Sequence, residues 1–445
     1  MRVLIVSHGH PAFSIGGAEV ASHNLMRGLN ALNGVEAHYL ARAGGTLRRH
    51  ADTPLMSLRQ GEREVFLHTE GWDPFWLSNP GLADLEGAFA GYLRQVRPDV
   101  VHVHHVIGLG VEALVQARRT LPDAAIAVTF HEYLPICLNH GQMVKTARNA
   151  LCRGASPADC STCFPQYTPG QIHRRETFLK HHLALADAYV SPSRFLIDRY
   201  AAWGLPRERF TFIENGLAPQ RVAPPRPLGP GGRRARFGYF GQLNEFKGLL
   251  VLLEAVCAVE DEVWGADAAL CIFGGGLENQ SPAFRERFER LLERAGRRAR
   301  FYGSYRSEEL PRLMEQVDWV VMPSIWWENS PVVIHEAFLH GRPPLVSDVG
   351  GMAEKVLHGV NGLHFRLGSP EDLADRLREV LGDGGRDLWQ RLRAAAPVPP
   401  DLRGFASQHL ALYRRALEAR RPTPPTPAAP VPAPRRTARV KETVS

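Results

Sequence analysis

Short apolar, β-branched runs alternate with helix-patterned stretches along nearly the whole chain, and that alternation restricts the fold more than any other feature. In the first half the runs cover residues 3–7, 65–68, 100–106, 125–129, 188–191 and 212–215. In the second half they cover 236–240, 270–273, 300–302, 319–322 and 345–347. Strands joined through helices close into parallel sheets with helices on their faces. Two sets predict an α/β protein of two Rossmann-like parallel-sheet domains with a cleft between them. The break between the sets, "GLAPQRVAPPRPLGPGGRR", is dense in Pro and Gly and reads as a linker. The expected organisation is a first domain over residues 1–216, a linker over 217–234 and a second domain over 235–400. A helix over 401–420 returns toward the first domain, and a disordered, Pro-rich basic tail occupies 421–445. Ligands of such sheets bind beyond the carboxyl ends of the strands, which here means the cleft.

The chain has 445 residues, 44% hydrophobic and 22% charged, the profile of a soluble globular protein. No apolar run reaches the ~18 residues of a membrane span. "MRVLIVSH" is too short for a secretory leader and reads as a first buried strand, so a cytoplasmic location is expected. Net charge is +7, of which the tail supplies +4 through Arg421, Arg435, Arg436, Arg439 and Lys441 against Glu442. Such a tail is either simply solvated or in loose peripheral contact with anionic lipid. Nothing in the charge pattern indicates a nucleic-acid partner.

"PSIWWENSPVVIHEAF", residues 323–338, follows a buried strand reading, "DWVVMPS". Ser330 is placed to cap a helix and Pro331 to occupy its first position. Val332, Val333, Ala337 and Phe338 give the apolar stripe, and Gly341 with Pro343 ends it. Glu328 then lies in the loop and Glu336 about two turns into the helix. The free N–H groups of Val332 and Val333 form an anion site at the helix start. Two carboxylates beside an anion site suit a ligand that carries both phosphate and hydroxyl groups, such as a nucleotide sugar. An ordinary helix with two surface glutamates fits the same residues equally well.

Three more elements fall at strand ends. "GGAE", residues 16–19, opens a helix, and Gly16 and Gly17 permit close backbone approach to a ligand. "FGQLNEFKG", residues 240–248, brings Lys247 to the cleft mouth as a point charge for phosphate. "FGGGLEN", residues 273–279, is a third glycine-rich strand end. In "VHVHH", residues 101–105, His102 and His104 share a strand face, but no carboxylate or cysteine nearby completes a metal site. His104 and His105 are expected to line the acceptor side of the cleft.

Together these residues resemble the retaining glycosyltransferases of family four, which have the GT-B fold, over roughly residues 1–420. The Glu-x7-Glu pair at Glu328 and Glu336 is the most specific part of the likeness. The resemblance implies that Glu336 binds the ribose hydroxyls of the donor nucleotide. It implies that Glu328 lies near the donor sugar, with Asn329, Ser330 and Val332 holding sugar hydroxyls and diphosphate. Lys247 matches the family lysine that stabilises the departing diphosphate. The family arginine of the same motif falls on Gln242, a departure that removes one charge from the leaving-group site. Gly16 and Gly17 match the family's N-terminal glycine loop, and His131 in "VTFHE" its cleft histidine. The implied reaction is metal-independent transfer from a nucleotide-diphosphate sugar to a sugar, lipid-linked or small-molecule acceptor, with retention and with no catalytic cofactor. A non-catalytic nucleotide-sugar binder, or another GT-B enzyme such as a sugar-nucleotide epimerase or a phosphorylase, remains open.

Cys137, Cys152, Cys160 and Cys163 cluster in one connection after "TFHEYLPI", the last two as Cys-Ser-Thr-Cys. In a reducing compartment that grouping suggests a structural zinc site, with free thiols and disulfides as alternatives. Cys257 and Cys271 read as isolated buried thiols.

Overall fold

The computed structural model describes residues 1–13, 16–44, 53–57, 63–79, 81, 85–147, 150–228 and 231–420, without the side chains of residues 85 and 86. The Pro-rich tail expected to be disordered lies outside the described residues. The first sheet holds β1 (Arg2–Ser7), β2 (Glu36–Ala43), β3 (Leu55–Ser57), β4 (Glu64–His68), β5 (Val100–Val103), β6 (Ala125–Thr129), β9 (Ala188–Ser191) and β10 (Phe210–Phe212). Their order is β10-β9-β6-β5-β1-β2-β4-β3, and only β3 runs antiparallel to its neighbour. Between β6 and β9 a small hairpin, β7 (Val144–Lys145) and β8 (Ala150–Leu151), stands apart from the sheet.

The second sheet holds β11 (Arg236–Phe240), β12 (Ala269–Phe273), β13 (Ala299–Gly303), β14 (Trp319–Met322), β15 (Pro344–Ser347) and β16 (Leu363–Phe365). Its order is β13-β12-β11-β14-β15-β16, parallel throughout. Strand order reverses between β11 and β14, and in the first sheet between β1 and β5. A doubly wound sheet opens a crevice at such a point, beyond the carboxyl ends of its strands. The inner strands are buried on both faces, as with Val3 to Val6 and Trp319 to Val321, each 0% exposed. That two-sided burial is why they read as continuous apolar runs.

Several elements differ from the sequence reading. β2 and β16 were not anticipated: β2 mixes Glu36, His38 and Arg42 with its buried residues, and β16 has only three residues. The expected run at 212–215 is instead a strand at Phe210–Phe212, edge-on to β9, and Ile213 makes one further bond to the Ser191 carbonyl. β5 ends at Val103, short of the expected run to residue 106, and the chain then turns through Gly108 and Gly110, both at positive φ.

The described residues of the segment 217–234 form a strap bound to the second domain. Arg342, 0% exposed, donates to the carbonyls of Ala223 and Pro224 at 3.1 and 2.5 Å. Arg226 and Arg234 close on the fully buried Asp318 at 2.8 and 3.1 Å. A proline-rich segment has few N–H donors but keeps its carbonyls, and buried arginines satisfy them. The last helix, Leu402–Arg420, packs Phe405, Ala406 and Tyr413 against the first sheet and the helix Gly17–Asn30. At their crossing a side chain on Gly28 would lie 2.6 Å from the Leu402 carbonyl, so the helices meet backbone to backbone. Among the described residues no helix is long and apolar enough to cross a membrane.

Candidate active site

The crevice at the β11/β14 reversal is built by two loops pressed together. After β11 the chain makes a single 3₁₀ turn, Glu245–Lys247, capped by Asn244, whose Oδ1 accepts the Phe246 and Lys247 amides at 3.1 Å each. Gly248 follows at φ +68°, and a Cβ there would stand 1.8 Å from the Pro323 carbonyl. Only glycine permits both that conformation and that approach. The Ile325 amide donates to the Phe246 carbonyl at 2.8 Å and joins the two loops. Lys247 Nζ then lies 2.6 Å from Glu328 Oε1. The same oxygen accepts the Ser324 hydroxyl at 2.7 Å and the Trp326 indole N–H at 3.0 Å. Glu328, expected beside the donor sugar, is therefore 5% exposed, with one oxygen saturated by the side chains around it.

The next helix is Val332–Leu339. Ser330 was expected to cap it and Pro331 to begin it. Instead Pro331 stands at the cap position with ψ 120°, an extended value that defers the helix to Val332, and no side chain caps the start. The Ser330 hydroxyl is buried with no partner among the described residues. Ile334 N–H bonds to the Pro331 carbonyl, and among the described residues the amides of Val332 and Val333 have no intramolecular acceptor. Glu336 lies just over one turn into the helix rather than two. It is half-buried and faces no cation among the described residues. Burial alone pushes its carboxyl up to about 7, and its charge is felt by the neighbouring Tyr305 hydroxyl. The two glutamates thus differ in kind: Glu328 is engaged, Glu336 is unpaired.

The residues between them bind the first domain. Asn329 Nδ2 donates to the His131 carbonyl at 3.0 Å, and its Oδ1 accepts the Ser193 hydroxyl at 2.5 Å. Trp327 Nε1 donates to the Cys152 carbonyl at 2.9 Å, while its ring stacks on Phe195 at 5.0 Å under the Arg199 guanidinium. Beneath the loop, the helix Gly350–Lys355 approaches so closely that a Cβ on Gly351 would fall 1.5 Å from the Asn329 carbonyl. Glu354 on that helix accepts the Arg194 and Phe195 amides at 2.9 and 2.8 Å, capping a first-domain helix, Arg194–Trp203, from the second domain. Lys355 pairs with Glu214 beside His335.

The facing wall comes from the ends of β1, β5 and β6. Glu19, 4% exposed, tucks under the glycine loop, where a Cβ on Gly16 would meet its carboxylate at 2.4 Å. Nothing lies within 4 Å of a Cβ on Gly17, so that backbone is open. His8 Nε2 is 3.3 Å from Glu19, and the His8 and His105 rings are 4.4 Å apart. His105 approaches Glu132 at 3.2 Å, and burial pushes the Glu132 carboxyl up to about 8. His131 stacks on His104, with Nε2 to Nδ1 at 3.0 Å. Burial, then the neighbouring His105 and His8, holds His131 down at about 3, so it is neutral. His104 and His105 were expected to line the cleft. They are 1% and 9% exposed, covered because His131 and Glu132 stand in front of them. His102 engages the Tyr413 hydroxyl and Thr129 Oγ1 at 2.6 and 2.7 Å, which leaves no ring nitrogen for a metal shared with His104.

Gln242 is exposed, and its carbonyl accepts the Tyr239 hydroxyl at 2.8 Å. The four clustered cysteines are half-buried and unbridged. Among the described residues one carboxylate–imidazole group has its ligand atoms within 4.8 Å of one another: His10, His23 and Glu64. His10 Nδ1 accepts the Ala12 amide, so its proton sits on Nε2, aimed at Glu64 at 2.6 Å. A metal on Nε2 would require the opposite tautomer, and the group reads as a hydrogen-bonded triad. Ser193, Ser324, Glu354 and the Gly350–Gly351 pair were not anticipated. The one available signal was "GGMAE" at 350–354, which echoes "GGAE" at 16–19.

Comparison with known proteins agrees with this geometry. Residues 15–221 match the profile described as Glycosyltransferase Family 4, and residues 234–383 match Glycosyl transferases group 1. A D-inositol 3-phosphate glycosyltransferase of Corynebacterium diphtheriae is 31% identical over 86% of this chain and 87% of its own length. Sucrose-phosphate synthase of Thermosynechococcus elongatus superposes with TM-score 0.69 at 18% identity, covering 94% of this chain and 99% of its own. HepE of Anabaena, solved in complex with UDP-glucose, superposes with TM-score 0.61 at 17% identity, covering 94% of this chain and 100% of its own. The fold is GT-B.

Proposed function

The chain belongs to glycosyltransferase family 4, and on that premise we propose that it is a retaining, metal-independent transferase moving a sugar from a nucleoside-diphosphate sugar to a hydroxyl on a sugar, lipid-linked or small-molecule acceptor. One observation supports the reading: the elements that follow β11 and β14 carry Lys247, paired with Glu328, and, with no partner among the described residues, the amides of Val332 and Val333 and the carboxylate of Glu336. The carboxylate accepts the two ribose hydroxyls. The amides, with the backbone of Asn329 and Ser330, take the diphosphate and sugar hydroxyls. Lys247 has three donors and gives one to Glu328, so two remain for phosphate oxygens. Glu328 fixes the ammonium where charge develops as the glycosyl–phosphate bond breaks, which is where stabilisation accelerates the reaction. That fixed charge fills the role a divalent cation would otherwise serve.

His131 faces the donor sugar as a neutral imidazole, and the open backbone at Gly17 admits the diphosphate from the first domain. In retention the acceptor hydroxyl attacks the anomeric carbon on the face the diphosphate leaves. Its proton passes to the departing phosphate oxygen, so one carbon–oxygen bond forms as another breaks.

A thermal-shift panel of UDP-, GDP- and ADP-sugars, UDP-glucose first, identifies the donor; at 100 times Kd a ligand adds about 2.7 kcal/mol. Slow release of nucleoside diphosphate and NMR of the product anomer then test the chemistry. Binding without turnover refutes the transferase, an inverted product refutes retention, and stimulation by added Mg²⁺ or Mn²⁺ refutes metal independence.

A further inference from the structure

Between β6 and β9 the chain makes a long excursion that holds four of its six cysteines. Three separate segments of it converge. Cys137 ends one turn, with its amide on the Tyr133 carbonyl at 2.8 Å and its own carbonyl accepting Gly141 at 3.1 Å. His140, Gly141 and Met143 all take positive φ, which curls the chain back toward the β7–β8 hairpin. Two of these, His140 and Met143, are not glycine, a conformation kept only where surroundings over-determine it. The hairpin returns Cys152, whose amide bonds to the Met143 carbonyl at 2.7 Å. The helix Pro157–Cys163 carries the other two, and Thr146 Oγ1 ties its end to the hairpin through the Cys163 carbonyl at 2.9 Å.

Backbone amides and one buried cation stand around the sulfurs. The Asn139 and Met143 amides act on the Cys137 sulfur and the Ser156 amide on the Cys160 sulfur. The guanidinium of Arg175, 3% exposed, is close enough to feel both thiols and is anchored on the carbonyls of Phe75, Pro135 and Leu134.

We propose that Cys137, Cys152, Cys160 and Cys163 bind one zinc ion, which clips the excursion against the loop that holds Glu328. Binding releases four thiol protons to solvent and forms four zinc–sulfur bonds of about 2.3 Å. The resulting charge of −2 lies beside Arg175. Among the described residues no three of the sulfurs lie within 4.8 Å of one another, so the ion draws them together. That contraction fixes the Cys152 carbonyl, which holds Trp327 one residue before Glu328.

Full-length protein purified without a metal-affinity tag should contain about one zinc per chain. A mercurial reagent should release it as four thiols titrate. Cys160→Ser should lose the ion and raise the donor KM several-fold, whereas Cys257→Ser should keep both. If Cys160→Ser does not fold, the wild-type stoichiometry still decides. Metal-free, active wild-type protein with six titrating thiols overturns the site, as does a mass two daltons low per cysteine pair. Zinc lost with an unchanged donor KM overturns the clip.

Discussion

Glu336→Gln separates a nucleotide-binding carboxylate from an ordinary surface glutamate through its pH dependence. An ordinary glutamate titrates near 4.5, and burial pushes Glu336 to about 7. That displacement corresponds to about 3.4 kcal/mol in favour of the neutral acid in the empty site. Ribose hydroxyls donate best to the ionised form, each such bond contributing roughly 1.5–3 kcal/mol. Donor binding should therefore expel up to one proton near pH 6. Affinity should rise on the order of tenfold from pH 5.5 to 8 and then level off. A nucleotide sugar has no titrating phosphate in this window, so the slope belongs to the protein. Gln accepts without charge, so the variant should bind about tenfold more weakly at pH 8 and show almost no slope. The free protein supplies a check of opposite sign. A folded-state value above the unfolded one gives stability present below about 4.5 and lost as pH rises through 7. Glu336→Gln should therefore raise Tm at pH 8 and leave it nearly unchanged at pH 4.5. Calorimetry in two buffers of different ionisation heat measures the proton directly. A variant that keeps the wild-type slope refutes the assignment.

Lys247→Ala should lower kcat by 10²-fold or more with a smaller change in donor Kd, because the diphosphate gains charge in the transition state; stopped assays with matched titrations distinguish this from uniform weakening. Gly351→Ala places a Cβ 1.5 Å from the Asn329 carbonyl, so donor binding should fall sharply while the second sheet remains folded by circular dichroism. Glu354→Gln weakens the cap that one domain places on the helix Arg194–Trp203 of the other, and should raise donor KM and speed proteolysis between the domains. Burial alone would raise the Glu214 carboxyl, but His335 and Lys355 outweigh it and hold it near 2. Its contribution is present above about 4.5 and lost as pH falls toward 2, so Glu214→Gln should cost on the order of 1 kcal/mol at pH 7, discounted for partial exposure, and converge with wild type in acid.

The α/β class was legible because a strand covered by helices on both faces is apolar on both, and β11, β12, β14 and β15 appear in the sequence as such runs. The Glu-x7-Glu spacing and the glycine-rich strand ends were legible for the same local reason: each lies within one loop and the start of one helix. Where a residue is polar in a strand, as with Glu36, His38 and Arg42 in β2, the period vanished and so did the element. Side-chain partners were not legible. Lys247 and Glu328 lie 81 residues apart and meet because two loops share one sheet crevice. Asn329 and His131 lie 198 apart and meet because two domains close on each other. Sequence named Glu328 and Glu336 as a spaced pair, one expected beside the donor sugar and one on the ribose, with nothing to say which side chains reach either. Packing decided that one would be saturated by Lys247, Ser324 and Trp326 and the other left unpaired. The free energy of a carboxylate is set by the donors that reach it and the water removed from it, and tertiary structure alone fixes both.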